Sequence, residues 1–179
     1  MSEVRVASRY AKSLLDLSKE QGIVEQVNED MVLFARTLEQ NRPLALAFKS
    51  PVIRHQQKLA ILSATFEKRV SPTTFSIFKI ITEKNREAVL YAIAKEFHRQ
   101  YNEYRNIQVA QVTTTFPLDE AMRASFKQMV ETKTGKTVEL EERVDPQLVG
   151  GFVLKVGDWQ IDESLRSRLR SLKYTFMQN

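Results

Sequence analysis

The chain has 179 residues, 42% of them hydrophobic and 27% charged, with a net charge of +5, enough for one domain or two small ones with cores of their own. That balance argues against wholesale disorder, and charges interrupt every apolar run well short of the roughly 18 residues a membrane span needs. Zero cysteines exclude disulfides, thiol catalysis and Cys-based metal sites, and with only His55 and His98 a histidine-rich site is excluded too. The opening Met1-Ser2-Glu3-Val4-Arg5 has no apolar signal core, which predicts a soluble, intracellular chain without a secretory or transit peptide.

Helical spacing dominates the first hundred residues, which hold a single glycine, Gly22. Val6, Ala7, Tyr10, Ala11, Leu14, Leu15 and Leu17 form the stripe of a first helix that stops at Gly22. Val24, Val27, Met31, Phe34 and Leu38 predict a second helix ending before Pro43, and residues 44–48 a short third. Ser50-Pro51 breaks the chain, since proline disfavours the helical conformation in the residue before it. Residues 58–66 predict a fourth helix. Ser71-Pro72 supplies an N-cap and a first-turn proline for a fifth helix through Phe75, Phe78 and Ile81. Val89, Ala92, Ile93, Phe97 and Tyr101 mark a sixth over residues 87–104.

The pattern changes after Arg105. Ile107, Val109 and Gln111 alternate with Gln108, Ala110 and Val112, and Thr113-Thr114-Thr115 extends this strand to Pro117. Leu118-Asp119-Glu120 opens a helix with acids in its first turn, Met122, Phe126, Met129 and Val130 form its expected buried stripe, and Gly135 stops it. Residues 137–141 alternate as a strand, residues 152–156 form another, Gly157-Asp158 is a hairpin turn, and residues 159–162 a further strand. Asp162 or Ser164 caps a last helix over residues 165–176. The fold expected is an N-terminal all-α six-helix bundle over residues 1–105, followed by a small α/β (α+β) C-terminal domain over residues 106–179.

Chemistry finds little support. Thr134-Gly135-Lys136-Thr137 ends like a phosphate-binding loop, but the required earlier glycine is Val130, and a helix leads into a strand rather than the reverse. Gly150-Gly151 and Gly157 precede and follow a strand, unlike a dinucleotide fingerprint. His55 and His98 stand among polar neighbours, which predicts wet helix faces. The adjacent carboxylates Glu29-Asp30, Glu141-Glu142 and Asp162-Glu163 read as exposed acids without a partner across a cleft. Neither an enzyme nor a bound cofactor or metal is expected.

Binding surfaces are better supported. The part through Arg105 carries 17 Lys+Arg and 12 Asp+Glu, the remainder 10 of each, and no like-charge run exceeds two residues. A basic helical nucleic-acid-binding protein is therefore the alternative reading, although such proteins gather their charge on one face. Tyr10, Ala11, Leu14 and Leu15 on the first helix, and Phe75, Ile77, Phe78, Ile80 and Ile81 on the fifth, form wider apolar arcs than one neighbour requires. Such arcs suit a groove for an amphipathic partner helix, and they equally suit the interior of a bundle. The same two readings apply to Leu165, Leu169, Leu172 and Phe176 on the last helix.

Residues 138–162, VELEERVDPQLVGGFVLKVGDWQID, carry a longer pattern: Val138, Leu140, Val144, Asp145 and Leu148, then Gly150-Gly151-Phe152, Leu154-Lys155 and Gly157. With Ser8-Arg9-Tyr10-Ala11, Phe48-Lys49-Ser50-Pro51, Glu83-Lys84-Asn85-Arg86 and Pro117-Leu118 in the same order, the chain resembles the delta subunit of F-type ATP synthases. The mitochondrial counterpart of that family is the oligomycin-sensitivity-conferring protein. The resemblance implies a non-catalytic stator subunit without cofactor, peripheral on the cytoplasmic face of a bacterial plasma membrane. It implies that Tyr10, Ala11, Leu14, Ile77, Ile80 and Ile81 hold the N-terminal helix of an alpha subunit of the alpha/beta catalytic head. It also implies that Leu165, Leu169, Leu172 and Phe176 meet subunit b of the peripheral stalk. One departure is charge: bacterial members are often acidic, whereas this chain has a sequence pI near 9.5.

Overall fold

The computed structural model describes residues 3–178, apart from the side chains of residues 175, 176 and 178. The chain forms two compact units, one ending at Tyr101 and the other beginning at Asn102. The first is all-α and the second a small α/β unit.

The helical unit contains α1 (Glu3–Gln21), α2 (Val24–Gln40), α3 (Arg42–Lys49), α4 (His55–Phe66), α5 (Pro72–Glu83) and most of α6 (Leu90–Tyr104), with a short 3-10 turn, Glu87–Val89, before α6. Helix α2 packs against α1, α3 and α5, and α4 packs on α5. Phe34 of α2 lies at the centre of an aromatic cluster, its ring centroid 4.6 Å from Phe78, 4.9 Å from Phe66 and 6.4 Å from Phe48. Around it Leu14, Met31, Leu62, Ile81, Ile93 and Phe97 are fully buried. Local sequence explains most boundaries. Gly22 adopts a left-handed φ of +69° after α1, and Ser71 Oγ accepts from the Thr74 backbone N–H at the start of α5. Three helices differ from the periodicity: α3 spans Arg42–Lys49 rather than 44–48, because Pro43 fits a first helical turn, α4 begins at His55 rather than 58, and the expected helix 87–104 starts as the tighter 3-10 turn.

The α/β unit is a four-stranded sheet in the order β2-β1-β3-β4, formed by β1 (Ile107–Thr114), β2 (Thr137–Val144), β3 (Phe152–Val156) and β4 (Trp159–Asp162). Strands β1 and β2 are parallel, with Ala110 opposite Leu140, and α7 (Glu120–Thr134) connects them. Strand β3 runs antiparallel to β1, with Val112 opposite Leu154, and β4 returns beside β3 through the Gly157-Asp158 turn. Alternation then divides the sheet. Ala110, Val112, Val138, Leu154 and Val156 share one buried face with Phe126 and Val130 of α7. Asp119 caps α7 by accepting from the Met122 N–H at 2.7 Å, and Gly135 ends it at φ +66°. The expected stripe of α7 is corrected in part: Met122 and Met129 are each 36% exposed, because they flank Phe126 and Val130 rather than point at the sheet. The last helix, α8, spans Leu165–Gln178.

Candidate functional site

Helix α5 is placed by a carboxylate, Asp30, that its acidic neighbour Glu29 and the local sequence predict to be exposed. Asp30 is buried, and its Oδ2 accepts from the Ser71 N–H and the Thr74 hydroxyl, each at 2.8 Å. These bonds join α2 to the N-terminus of α5, where a negative charge also suits the helix dipole. Two further bonds link the α1 and α5 regions: Thr73 Oγ1 donates to Gln21 Oε1, and Arg86 Nη1 donates to the Tyr10 hydroxyl, both at 3.2 Å. Beside Tyr10 lies a cleft of about 260 Å³ lined by Val6, Arg9, Tyr10, Ser13 and Arg86.

The six residues expected on this surface lie at three depths. Ala11, Leu14 and Ile81 are completely buried in the helical core, Tyr10 and Ile77 are half-buried against it, and Ile80 is 43% exposed. Periodicity ranks all six alike, yet only Tyr10, Ile77 and Ile80 reach the surface. Ala11, Leu14 and Ile81 support it from below.

Nearby charges are engaged within the unit. Lys58 and Glu87, 29 residues apart, form a buried ion pair. Lys95 pairs with Glu39 at 2.7 Å and Arg99 with Glu96 at 2.7 Å. The Arg99 hydrogen bond, supported by Gln100 and Ser8, holds the Glu96 carboxyl down to about 2. Lys95, and then the Tyr91 hydroxyl, likewise hold Glu39 below the usual carboxylate range. His98 is not fully wet as expected; its Nδ1 lies 3.0 Å from Asn28 Oδ1 and the ring is half-buried, whereas His55 is exposed.

In the α/β unit the signature residues prove to be those that build the sheet and launch α8. Val138, Leu148 and Leu154 are buried, and Leu140 and Phe152 are half-buried, Phe152 edge-on to Phe126 at 4.9 Å. Val144 and Lys155 are exposed. Asp145 Oδ1 accepts from the Gln147 N–H and caps a short 3-10 turn. Gly151 has φ +75°, and a Cβ there would stand 2.1 Å from the Glu163 carbonyl oxygen; one on Gly150 would meet Leu165 Cδ1 at 2.7 Å. The Leu165 N–H donates to the Gly150 carbonyl at 2.9 Å. The two glycines thus let the β4–α8 connection lie against the backbone. Both candidate caps act: Ser164 Oγ accepts from the Ser167 N–H, while Asp162 accepts from the Ser164 N–H and the Ser167 hydroxyl. Those serines hold the Asp162 carboxyl below its ordinary range.

From this anchored start, α8 exposes its apolar stripe. Leu165 is 45%, Leu169 59% and Leu172 53% exposed; the Phe176 side chain lies outside the described residues. Among the described residues no cluster of three or more His, Asp or Glu side chains converges as a metal site, and no helix is long and apolar enough to cross a membrane.

Two compact units with apolar helix faces at their surfaces define a scaffold, a protein that acts through what it holds. The chain belongs to the ATP synthase delta (OSCP) subunit family, whose model matches residues 6–176. It is 45% identical over 176 residues to the ATP synthase subunit delta of Cytophaga hutchinsonii, covering 98% of this chain and 96% of that protein. It is 39% identical over 173 residues to that of Amoebophilus asiaticus, covering 96% and 94%. The fold also matches a chain of the Toxoplasma gondii mitochondrial ATP synthase hexamer, with a TM-score of 0.73, 21% identity and coverage of 96% and 97%. Membership makes this chain a structural rather than catalytic subunit of the complex.

Proposed function

We propose that the chain ties the catalytic head of a bacterial F-type ATP synthase to its peripheral stalk. In this reading the helical unit receives the N-terminal helix of an alpha subunit along α1 and α5, on the alpha/beta head. Tyr10, Ile77 and Ile80 make the contacts, and Ala11, Leu14 and Ile81 support them. Helix α8 receives subunit b through Leu165, Leu169, Leu172 and Phe176. The protein then sits peripherally at the cytoplasmic face of the plasma membrane and keeps the head stationary against the rotor.

The observation that carries this reading is the exposure of α8. Three leucines on one stripe, each about half accessible, are poorly placed in water, and covering them with a partner contributes on the order of 1 kcal/mol apiece. A link under torque needs long-lived contacts and no chemistry of its own, which agrees with apolar surfaces on two compact units.

The test titrates the full chain with a synthetic alpha-subunit N-terminal peptide and, separately, with the soluble part of subunit b. Ile80→Asp is expected to weaken the peptide at least tenfold and leave subunit b unaffected; Leu169→Asp should do the reverse. Wild-type affinities from both variants would refute the assignment, and loss of both partners in either variant would refute the division of labour.

A further inference from the structure

The stripe on α8 has a second property. Leu165, Leu169, Leu172 and, by spacing, Phe176 recur at intervals of four, three and four residues. That is the seam of a two-heptad coiled coil, with Leu165 and Leu172 at d and Leu169 at a. In this register Arg166 and Lys173 fall at e and Arg168 at g, the positions that border a partner helix. The sequence LRSRLRSLKYTFMQ contains no acid. Every charge beside the seam is positive.

We infer that α8 is one strand of a heteromeric coiled coil whose other strand is an acidic heptad helix, with Glu or Asp opposite Arg166 and Lys173. The inference deepens the stalk-binding reading and rests on it for the partner's origin; the charge rule is new. Three observations carry it. The leucines are exposed along the seam. The helix is held at its N-terminal end by the Leu165-to-Gly150 hydrogen bond and by the Ser164 and Asp162 caps. Preorganisation of that kind matters, because an isolated helix of 14 residues is marginal in water. Finally, the flanking charges select the occupant. A second copy of α8 would bring like charges together along e and g, which opposes self-pairing. A membrane surface calls for a broad apolar arc with basic residues on both sides. Here the seam takes two positions in seven, and Arg168, on its other side, already pairs with Glu163.

The experiment uses the full chain and two 28-residue peptides that share leucine at every a and d position, one with Glu and the other with Lys at every e and g. The wild type is expected to bind the Glu peptide about tenfold more tightly than the Lys peptide, and to lose most of that preference at high salt. The Arg166→Glu/Lys173→Glu variant, which alters only exposed side chains, should reverse it. Equal binding of both peptides by the wild type overturns the inference. So does dimerisation of the wild type through α8, or binding to phosphatidylglycerol vesicles without a peptide preference. Subunit b separates the two levels. A wild type that selects the Glu peptide but fails to capture subunit b removes the stalk reading and leaves the acidic-heptad surface. A charge-reversed variant that captures subunit b as well as the wild type removes the charge rule and leaves the stalk reading.

Discussion

In the helical unit, apolar stripes close on one another around Phe34, so that Ala11, Leu14 and Ile81 disappear from the surface and only residues beside them reach it. In the α/β unit a single sheet face closes on α7, and the stripe of α8 remains outside. Both stripes have the same helical period. The difference lies in what is available to cover them: several neighbouring helices in one case, and in the other a thin two-layer core already filled by Phe126 and Val130. A surface built over a deep core is rigid and selective in shape. One built on a protruding helix depends on its partner for packing, and its charges have more influence on specificity.

The largest effect expected from this contrast is at Phe34. Phe34→Ala empties the centre of the aromatic cluster and should cost about 3–5 kcal/mol. Because Trp159 is the single tryptophan and lies in β4, its fluorescence reports unfolding of the α/β unit, while circular dichroism at 222 nm is weighted toward the helices. Denaturant titration should therefore show the helical transition moving to much lower denaturant with the Trp159 midpoint in place. A joint shift of both midpoints would mean that the units unfold together.

Gly151 offers the reciprocal perturbation. Gly151→Ala forces a side chain into the left-handed region and against the Glu163 carbonyl, at an expected cost of about 2 kcal/mol. The Trp159 transition should move, capture of subunit b should weaken because α8 loses its fixed start, and binding of the alpha-subunit peptide should not change. An unchanged Trp159 midpoint would show that the connection relaxes around the added methyl group.

Much of the architecture was legible in the sequence. The glycine stops at Gly22 and Gly135, the Ser71-Pro72 helix start and the alternation that opens at Ile107 all follow from local physics, although β1 ends at Thr114, short of the expected Pro117. The remainder depends on partners distant in sequence. Asp30 looked like any surface acid beside Glu29, and became buried because Ser71 and Thr74, 41 and 44 residues away, supply its donors. The Lys58–Glu87 pair is invisible for the same reason. Met122 and Met129 fit the period of α7 but lie at the margin of what one sheet face can cover. At the candidate site, period marked the right helices without ordering residues by depth; Leu14 and Ile80 look equivalent until the neighbours are in place. For α8, the four-three-four spacing and its basic flanks were readable from the chain, whereas exposure of the seam required the fold.

The smallest effect concerns acid. Glu96 has its pKa depressed to about 2 by Arg99, so the charged pair contributes stability at and above the ordinary carboxylate value of 4.5. That contribution is lost as the pH falls from there toward 2. The side chain of Arg99 is 54% exposed, and solvent screening limits the pair to about 0.5 kcal/mol rather than the much larger figure the shift alone would suggest. Glu96→Gln should therefore lower the midpoint of the helical transition slightly at pH 7, and the difference from wild type should close below pH 4. In the α/β unit, Glu142 is likewise held below its usual range by Arg123, so acid weakens both units and only the variant tells them apart: Trp159 should report the same acid dependence with and without Glu96. If the Glu96→Gln difference instead persists unchanged at pH 3, packing of the side chain rather than its charge holds α6 in place at this position.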